Sequence, residues 1–376
     1  MLVPAAGARR RRPRPRRPRR ASRAARLALA AVLLAGAPAC GGDGDGAAPR
    51  QREAAGAWAA MAPSPLAGRT FPAAAWTGRE LLVWGGNGPD GALGDGARYD
   101  PAADRWGAMA PAPLPPAPAR MVWSGREAIV WGAAGGAAYD PAADSWRELP
   151  AAPVTPRARS TAVWTGAEML VWGGTADGAY LADGAAYDPT EDSWRPLPPA
   201  PLAGRTGHVS AWTGAELVVW GGAAGGEARF ADGAAYDPAA DRWRPVGPSP
   251  LEPRVGGGSA WGDGALHVWG GGGAAGHLAD GASYDPASDA WQALPAFEAL
   301  AARGGHAVAW TGSELLIWGG GDDVVFGNGA RFAPGRGWAL LPRPPIAGLA
   351  NGASAWTGEE WLVWGGGAGE GARFRP

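Results

Sequence analysis

The sequence predicts an all-β fold of seven four-stranded blades arranged around a channel, a β-propeller. The segment "WTGAELVVWGG" at residues 212–222 recurs in seven related copies, whose second tryptophans follow one another at steps of 47, 41, 48, 49, 49 and 46 residues. A period of this size is typical of propeller blades. Residues 56–376 show no helical periodicity, and four-stranded units that cannot bury both faces alone must stack radially.

Each repeat divides into four short strands, named a to d. Strand a is the Ala/Val/Ser stretch before the first tryptophan, and a Thr-Gly or Ser-Gly turn leads into strand b. Strand b is apolar at consecutive positions, as in "ELLVW", which indicates burial on both faces. A Gly-Gly pair ends it where the backbone must bend. Strand c is "GAAYD", an Asp-Pro turn follows, and strand d carries a third tryptophan.

This order, with strand b ending in Gly-Gly, then a tyrosine, then a tryptophan seven residues later, resembles the kelch repeat across residues 56–376. The resemblance implies a seven-bladed kelch-type propeller. Repeat 2 departs from the pattern with Gly-Ala after Trp131, and Phe332 and Phe374 replace the tyrosine in repeats 6 and 7. We expect the fold to tolerate these changes, because phenylalanine supplies the same ring and alanine a similarly small volume.

The two ends of the repeat region predict how the ring closes. Repeat 7 reaches Pro376 after strand c, whereas "GAWAAMAPSP" from Gly56 matches strand d and the d–a connection of the other repeats. We therefore expect Trp58 to lie in the last blade beside Phe374. Completing one blade from both ends removes the exposed sheet edges of an open ring.

Residues 1–55 predict export. The first 26 residues contain 11 arginines and no acid, and "LALAAVLLAGAPA" follows as an apolar stretch too short to span a membrane. We predict a signal peptide at 1–39, lipidation of Cys40 and a flexible tether at 40–55. Ordinary secretion and an inert leader cysteine stay open, because the lipobox motif favours a larger aliphatic residue than Ala37. The expected location is periplasmic or outer-surface, alternatively secreted, with membrane contact only through the lipid.

The charge of the chain is divided between its two parts. Removing the 11 leader arginines from 34 basic residues leaves 23 against 35 acidic ones, a formal charge of −12. A propeller this acidic disfavours nucleic acid and anionic membranes as partners. The arginine run itself is interpreted as the first part of the signal peptide. We expect a monomer whose partner is a protein or a glycan.

No enzyme or metal motif stands out in the repeat region. Galactose oxidase, a kelch-propeller enzyme, needs a cysteine in its copper site, and Cys40 is the only cysteine here. Sialidase boxes and nucleophile elbows are absent. The four histidines lie at unlike repeat positions with no close pair, so we predict no metal, no cofactor and no catalytic residue. They are His208, His267, His277 and His306.

Two charged positions recur from repeat to repeat. The position seven residues before the first tryptophan should ring the channel mouth, and five repeats carry arginine there: Arg69, Arg157, Arg205, Arg254 and Arg303. One interpretation is structural, with each arginine pairing with an acid or carbonyl of a neighbouring blade. The other is an anion-binding collar for a carboxylate, because arginine offers a planar fork. Glutamates begin strand b in six repeats, where a structural role is favoured over catalysis: Glu80, Glu127, Glu168, Glu216, Glu314 and Glu360.

Loop lengths predict the binding face. The spacing from the second tryptophan to the aromatic residue of strand c is 15, 8, 15, 16, 15, 14 and 10 residues, so variation concentrates in the b–c loops. These loops share one end with the d–a connections and the arginines, and loops on a rigid scaffold commonly bind ligands. We predict a protein- or glycan-binding or scaffolding module at the cell envelope. The alternative is a carbohydrate-active enzyme similar to sialic-acid mutarotase, for which unpaired Arg, Glu and His at the mouth would be evidence.

Overall fold

The computed structural model describes residues 56–321 and 324–376, which form seven four-stranded antiparallel sheets and two short hairpins. These residues contain no helix, and so none that could cross a bilayer. The predicted all-β, seven-bladed class is confirmed. The predicted signal peptide, tether and lipidated Cys40 lie outside the described residues. Blades are numbered below by the repeat that supplies their strand a.

Strand a is the innermost strand of each blade. Each strand a contacts strand a of the next blade, and the seventh contacts the first, so the seven strands close a ring around the axis. Small residues precede the tryptophan in most of these strands and allow this close approach, whereas blade 2 carries Arg120 and Met121 there. The seven strands are Ala73–Trp76, Ala119–Trp123, Thr161–Trp164, Val209–Trp212, Gly258–Gly262, Ala307–Trp310 and Ala353–Trp356.

Strands b and c are the two central strands of each sheet. Strand b is buried along its length, which is why its sequence is apolar without alternation. The b strands are Leu81–Trp84, Ala128–Gly132, Met169–Trp172, Leu217–Trp220, Ala265–Trp269, Leu315–Trp318 and Trp361–Gly365. The c strands are Gly96–Asp100, Gly135–Asp140, Gly184–Asp188, Gly233–Asp237, Gly281–Asp285, Gly329–Ala333 and Glu370–Arg375. Two b–c loops fold into hairpins, Asn87–Gly88 with Gly91–Ala92, and Thr175–Ala176 with Ala179–Tyr180.

Strand d is the outer strand, and in blade 7 it comes from the start of the repeat region. Ala57–Ala60 pairs antiparallel with Glu370–Arg375, and Trp58 stands opposite Phe374. The predicted closure of the ring is therefore confirmed. The other d strands are Arg105–Ala108, Ser145–Glu148, Ser193–Pro196, Arg242–Pro245, Ala290–Ala293 and Gly337–Leu340.

The core of the described residues is divided among the seven interfaces between neighbouring blades, each with its own hydrophobic cluster. Between blades 3 and 4, Leu170 and Trp172 pack with Leu217 and Val219, all four fully buried. No blade has a core of its own, so stability depends on the stacking of each blade against two neighbours.

Aromatic contacts and hydrogen bonds join each blade to the next. The closing Trp243 of blade 4 lies 5.8 Å, centroid to centroid, from the buried Trp172 of blade 3. Its indole Nε1 donates to the carbonyl of Pro198, at 3.0 Å, in the connection after strand d of blade 3. In the c–d turn of blade 4, Tyr236 donates to Asp241, whose backbone adopts a left-handed φ of 47°. The recurring tryptophan and Asp-Pro patterns thus serve the architecture.

Candidate functional site

The five arginines before strand a are buried at the loop-bearing end of the propeller. Arg205, 0% exposed, donates from Nη1 and Nη2 to the two carboxylate oxygens of Asp232, at 2.7 and 3.1 Å. Nη1 also donates to the carbonyl of Gly221, and Nε to that of Ala203. The same pattern joins Arg69 to Asp95, Arg157 to Asp183, Arg254 to Asp280 and Arg303 to Asn328.

Each of these arginines connects two blades. The guanidinium of Arg205 donates hydrogen bonds within blade 4, to the end of strand b and the end of the b–c loop. The backbone of Arg205 exchanges hydrogen bonds with Leu181 and Gly174 of blade 3. The acid therefore lies in the same blade, not in a neighbouring one as the structural interpretation had it. With both oxygens of the acid engaged and no guanidinium surface open to solvent, the geometry supports a structural role; ligand binding by these arginines stays a prediction.

Arg303 differs from the other four because its partner Asn328 is neutral. Burial lowers the pKa of Arg303 to about 10, and no carboxylate counters that effect. The guanidinium also lies over the ring of Phe326, 4.3 Å from its centroid. Blade 6 thus carries a buried cation without the ion pair that blades 1, 3, 4 and 5 possess.

Asn328→Asp is expected to stabilise the protein by about 1 kcal/mol at pH 7, the difference between a neutral and a charge-assisted hydrogen bond. The hydrogen bond from the arginine holds the pKa of Asp95 and of Asp183 below the usual 3.8. A lowered folded-state pKa adds stability above the unfolded value, and that stability is lost as pH falls through the folded one. Urea unfolding at pH 7 and at pH 3 should show a gain that shrinks at pH 3. An equal gain at both pH values would contradict the ion-pair explanation.

The recurrent glutamates lie at the opposite end of the propeller, where the a–b and c–d turns meet. Glu168 receives two hydrogen bonds from Arg195, and Arg195 also reaches Tyr236 of blade 4. Glu216 and Arg244 repeat this arrangement one blade later. These contacts support the structural role favoured for the glutamates. An open groove of about 740 Å³ passes between the turns of blades 3 and 4, but its two glutamates are held by these arginines.

The histidines do not assemble a metal site in the described part of the chain, where no three His, Cys, Asp or Glu side chains come together. Burial, with smaller effects of Arg205 and Arg120, lowers the pKa of His208 to about 3. Its Nε2 lies 2.6 Å from the hydroxyl of Thr161. Burial likewise lowers the pKa of His306 to about 3. Both imidazoles are therefore neutral at physiological pH and act as packing groups beside the inner strands.

The loop-bearing end carries the large apolar side chains that are exposed among the described residues. Tyr180, on the b–c hairpin of blade 3, is 39% exposed, and Val324 and Val325 in the b–c loop of blade 6 are 68% and 50% exposed. Phe71, which precedes strand a of blade 1, is 48% exposed. These residues belong to blades 1, 3 and 6 and all lie at the end that carries the variable b–c loops.

Sequence reasoning missed two arginines at this end, Arg120 and Arg159. Both are exposed, unlike the five buried ones. A signal was present in the repeats, because Arg159 stands five residues before the first tryptophan, where repeats 4, 5 and 6 carry glycine. Arg120 stands three residues before it, where repeats 1, 6 and 7 carry alanine. Neither arginine recurs from repeat to repeat, so the repeat pattern by itself assigns them no role.

Comparison with known families supports the repeat pattern seen in these blades. A model described as the KLHDC2/KLHL20/DRC7 Kelch-repeats domain matches residues 119–320, more than half of the 376-residue chain. The matched span begins in strand a of blade 2 and ends just after strand b of blade 6. The comparison with curated proteins found no match.

Proposed function

The chain belongs to the kelch-repeat β-propeller family, and on that premise we propose that it is an exported module that binds a protein or glycan at the cell envelope. The fold is consistent with a protein-binding module, while the identity of a partner depends on particular surface residues. The observation that carries the proposal is the difference between the two ends. One end has uniform turns with ion-paired side chains; the other has b–c loops of unequal length and exposed Phe71, Tyr180, Val324 and Val325.

A binding role is proposed in preference to catalysis. The mutarotase-like alternative drew its support from arginines at the channel mouth. The five recurrent arginines are held by acids, an amide and carbonyls, and His208 and His306 are neutral packing groups. No observation at these residues favours a sugar enzyme over a binding surface, and Arg120 and Arg159, which form no ion pair among the described residues, are consistent with either.

Two matched substitutions in blade 3 test the binding face. Ala179, beside Tyr180 in the b–c hairpin, and Ala167, in the a–b turn, are both exposed. Repeat 2 carries Arg126 at the position of Ala167, so Ala167→Arg places arginine where the fold already accepts it. The full chain would be incubated with envelope extracts and a glycan panel. A partner retained by wild type and Ala167→Arg but lost with Ala179→Arg supports the proposal. Equal retention by all three proteins, or no retained partner, would contradict it.

The proposed envelope location rests on the sequence around Cys40. An apolar stretch precedes this cysteine and a polar Gly-rich segment follows it, as a lipid attachment site before a tether requires. Labelled palmitate should enter the wild-type chain but not Cys40→Ser, and the variant should appear soluble outside the cytoplasm. If neither protein takes the label and both fractionate alike, the anchor is wrong and ordinary secretion replaces it.

A further inference from the structure

A ring of left-handed residues surrounds the channel at the loop-bearing end. The position five residues before the first tryptophan has a φ between 52° and 66° in six blades, and Pro118 occupies it in blade 2. Backbone hydrogen bonds link several of these residues from blade to blade, such as Gly256 N to Gly207 O and Asn351 N to Gly305 O. The six left-handed residues are Phe71, Arg159, Gly207, Gly256, Gly305 and Asn351.

Two members of this ring are energetically unexpected. Apart from glycine, the described residues with positive φ are aspartates, one asparagine, Phe71 and Arg159. Aspartate and asparagine tolerate this conformation, whereas phenylalanine and arginine adopt it at a cost. Blades 4, 5 and 6 avoid that cost with glycine. A side chain kept at a strained and exposed position calls for a role outside the stability of the fold.

Arg159 and Arg120 bring two positive charges to the same part of the mouth. Within residues 56–321 and 324–376 neither arginine forms an ion pair. Arg120, on strand a of blade 2, donates from Nε to the carbonyl of Ser160 in blade 3, at 3.2 Å. This contact places its guanidinium beside the residue that follows Arg159. The buried arginines, in contrast, have acid or amide partners.

The surroundings of Arg120 are those of a channel wall. Its side chain is exposed, yet enough protein surrounds it for burial to lower the pKa of its guanidinium, and the nearby charge of Arg159 lowers it further. Arg120 stands on the innermost strand of blade 2, in contact with strand a of blade 3. Two like charges held close without a counterion favour an anion between them, and channel mouths concentrate this field.

The ring is asymmetric in a way that suits a ligand. Blades 7, 1, 2 and 3 present the side chains of Asn351, Phe71, Arg120 and Arg159 around the mouth. Blades 4, 5 and 6 present only glycine at the ring position. One side therefore offers two cations and an exposed aromatic ring. The other has no side chain at the ring position, where Val255 packs beside Gly207 and Asn351 beside Gly305.

We propose that Arg120 and Arg159 bind an oxyanion, a carboxylate or a phosphate group, at the channel mouth between blades 2 and 3. Arginine matches both groups with paired N–H donors, and Phe71 offers an apolar contact for the remainder of the ligand. The proposal names the chemistry that a partner would present to the proposed binding face, and in that respect it rests on the proposed function.

The test uses equilibrium dialysis of the full chain with two labelled probes, inorganic phosphate and citrate, at matched ionic strength. Wild type should take up one equivalent of at least one probe in a saturable manner, and the stronger probe identifies the anion. Arg159→Gly and Arg120→Ala, which install residues found at the same positions in other blades, should each weaken binding roughly 10- to 100-fold. Arg126→Ala removes an exposed arginine from the opposite end and should bind as wild type does.

Thermal unfolding separates binding from structure. Glycine accepts a positive φ without cost, so Arg159→Gly should melt at or above the wild-type temperature while losing the anion. Unsaturable uptake by wild type, equal uptake by all four proteins, or a lower melting temperature for Arg159→Gly would each overturn the proposal. A partner lost with Ala179→Arg but retained by Arg159→Gly would leave the proposed function intact and remove this inference alone.

Discussion

Deleting residues 56–62 should produce the largest loss of stability of any change considered for this protein. The deletion removes strand d of blade 7, so the strand that contains Phe374 loses its partner and becomes an unpaired edge. It also removes Trp58, whose ring lies 5.0 Å from Phe374 and 5.5 Å from Trp318. Emptying a tryptophan site costs about 3 to 5 kcal/mol by itself. We expect a lower melting temperature and broader unfolding than for the wild type.

Two single substitutions separate the effect of losing the Trp58 side chain from the effect of losing the whole strand. Trp58→Ala leaves the strand in place and should cost about 3 to 5 kcal/mol. Trp106→Ala removes the equivalent tryptophan of blade 1, which contacts Tyr99 and Trp364, and should cost a similar amount. Urea unfolding should then show a larger loss for the deletion than for either substitution. A deletion no worse than Trp106→Ala would contradict the closure.

Arg205→Ala should destabilise the propeller by roughly 2 to 4 kcal/mol, the second largest effect expected. The substitution leaves the carbonyls of Gly221 and Ala203 without a donor and empties the volume of a fully buried side chain that covers the ring of Phe230. Arg254→Ala should behave alike, because its contacts with Asp280 and Gly270 are the same in kind. The measurement is the free energy of unfolding in urea.

Arg195→Ala is the matched comparison at the opposite end. Its guanidinium pairs with Glu168 but is 38% exposed, so the loss should be about 1 kcal/mol or less. Affinity for phosphate and citrate would be measured beside stability. Lower stability with unchanged anion binding would confirm Arg205 as a structural link between blades. Unchanged stability with lost anion binding would instead support the collar.

Repetition explains why much of the architecture could be predicted from the sequence. The tryptophan of strand b, as in Trp172, occupies an equivalent environment in every blade, and each copy predicts the same local strand and turn. The Gly56–Pro65 segment matched a strand d that repeat 7 lacked, so the pairing of Trp58 with Phe374 followed from counting strands. The local repeat pattern is enough to predict the fold because every blade packs against its neighbours in the same way.

The buried arginines and their partners both recur in the sequence, but the contact between them forms only in the folded chain. Asp232 lies 27 residues after Arg205 and directly before the glycine that begins strand c. The other four repeats with the arginine carry an acid or amide at the same place, namely Asp95, Asp183, Asp280 and Asn328. The sequence therefore contained both members of each pair at recurring positions, but their separation of 25 to 27 residues shows no contact until the b–c loop folds back onto the arginine.

The sequence by itself determined the seven blades, their strand order and the closure by Trp58, because these follow from residues that repeat. The tertiary structure alone decided which arginines are buried and which are exposed, and it brought Phe71, Arg120 and Arg159 to one mouth. Phe71 and Arg159 share the position five residues before the first tryptophan and Arg120 stands two residues later in its repeat, but the three residues come from different blades. They come to the same end of the propeller only when the ring closes and each strand a meets its neighbours around the axis.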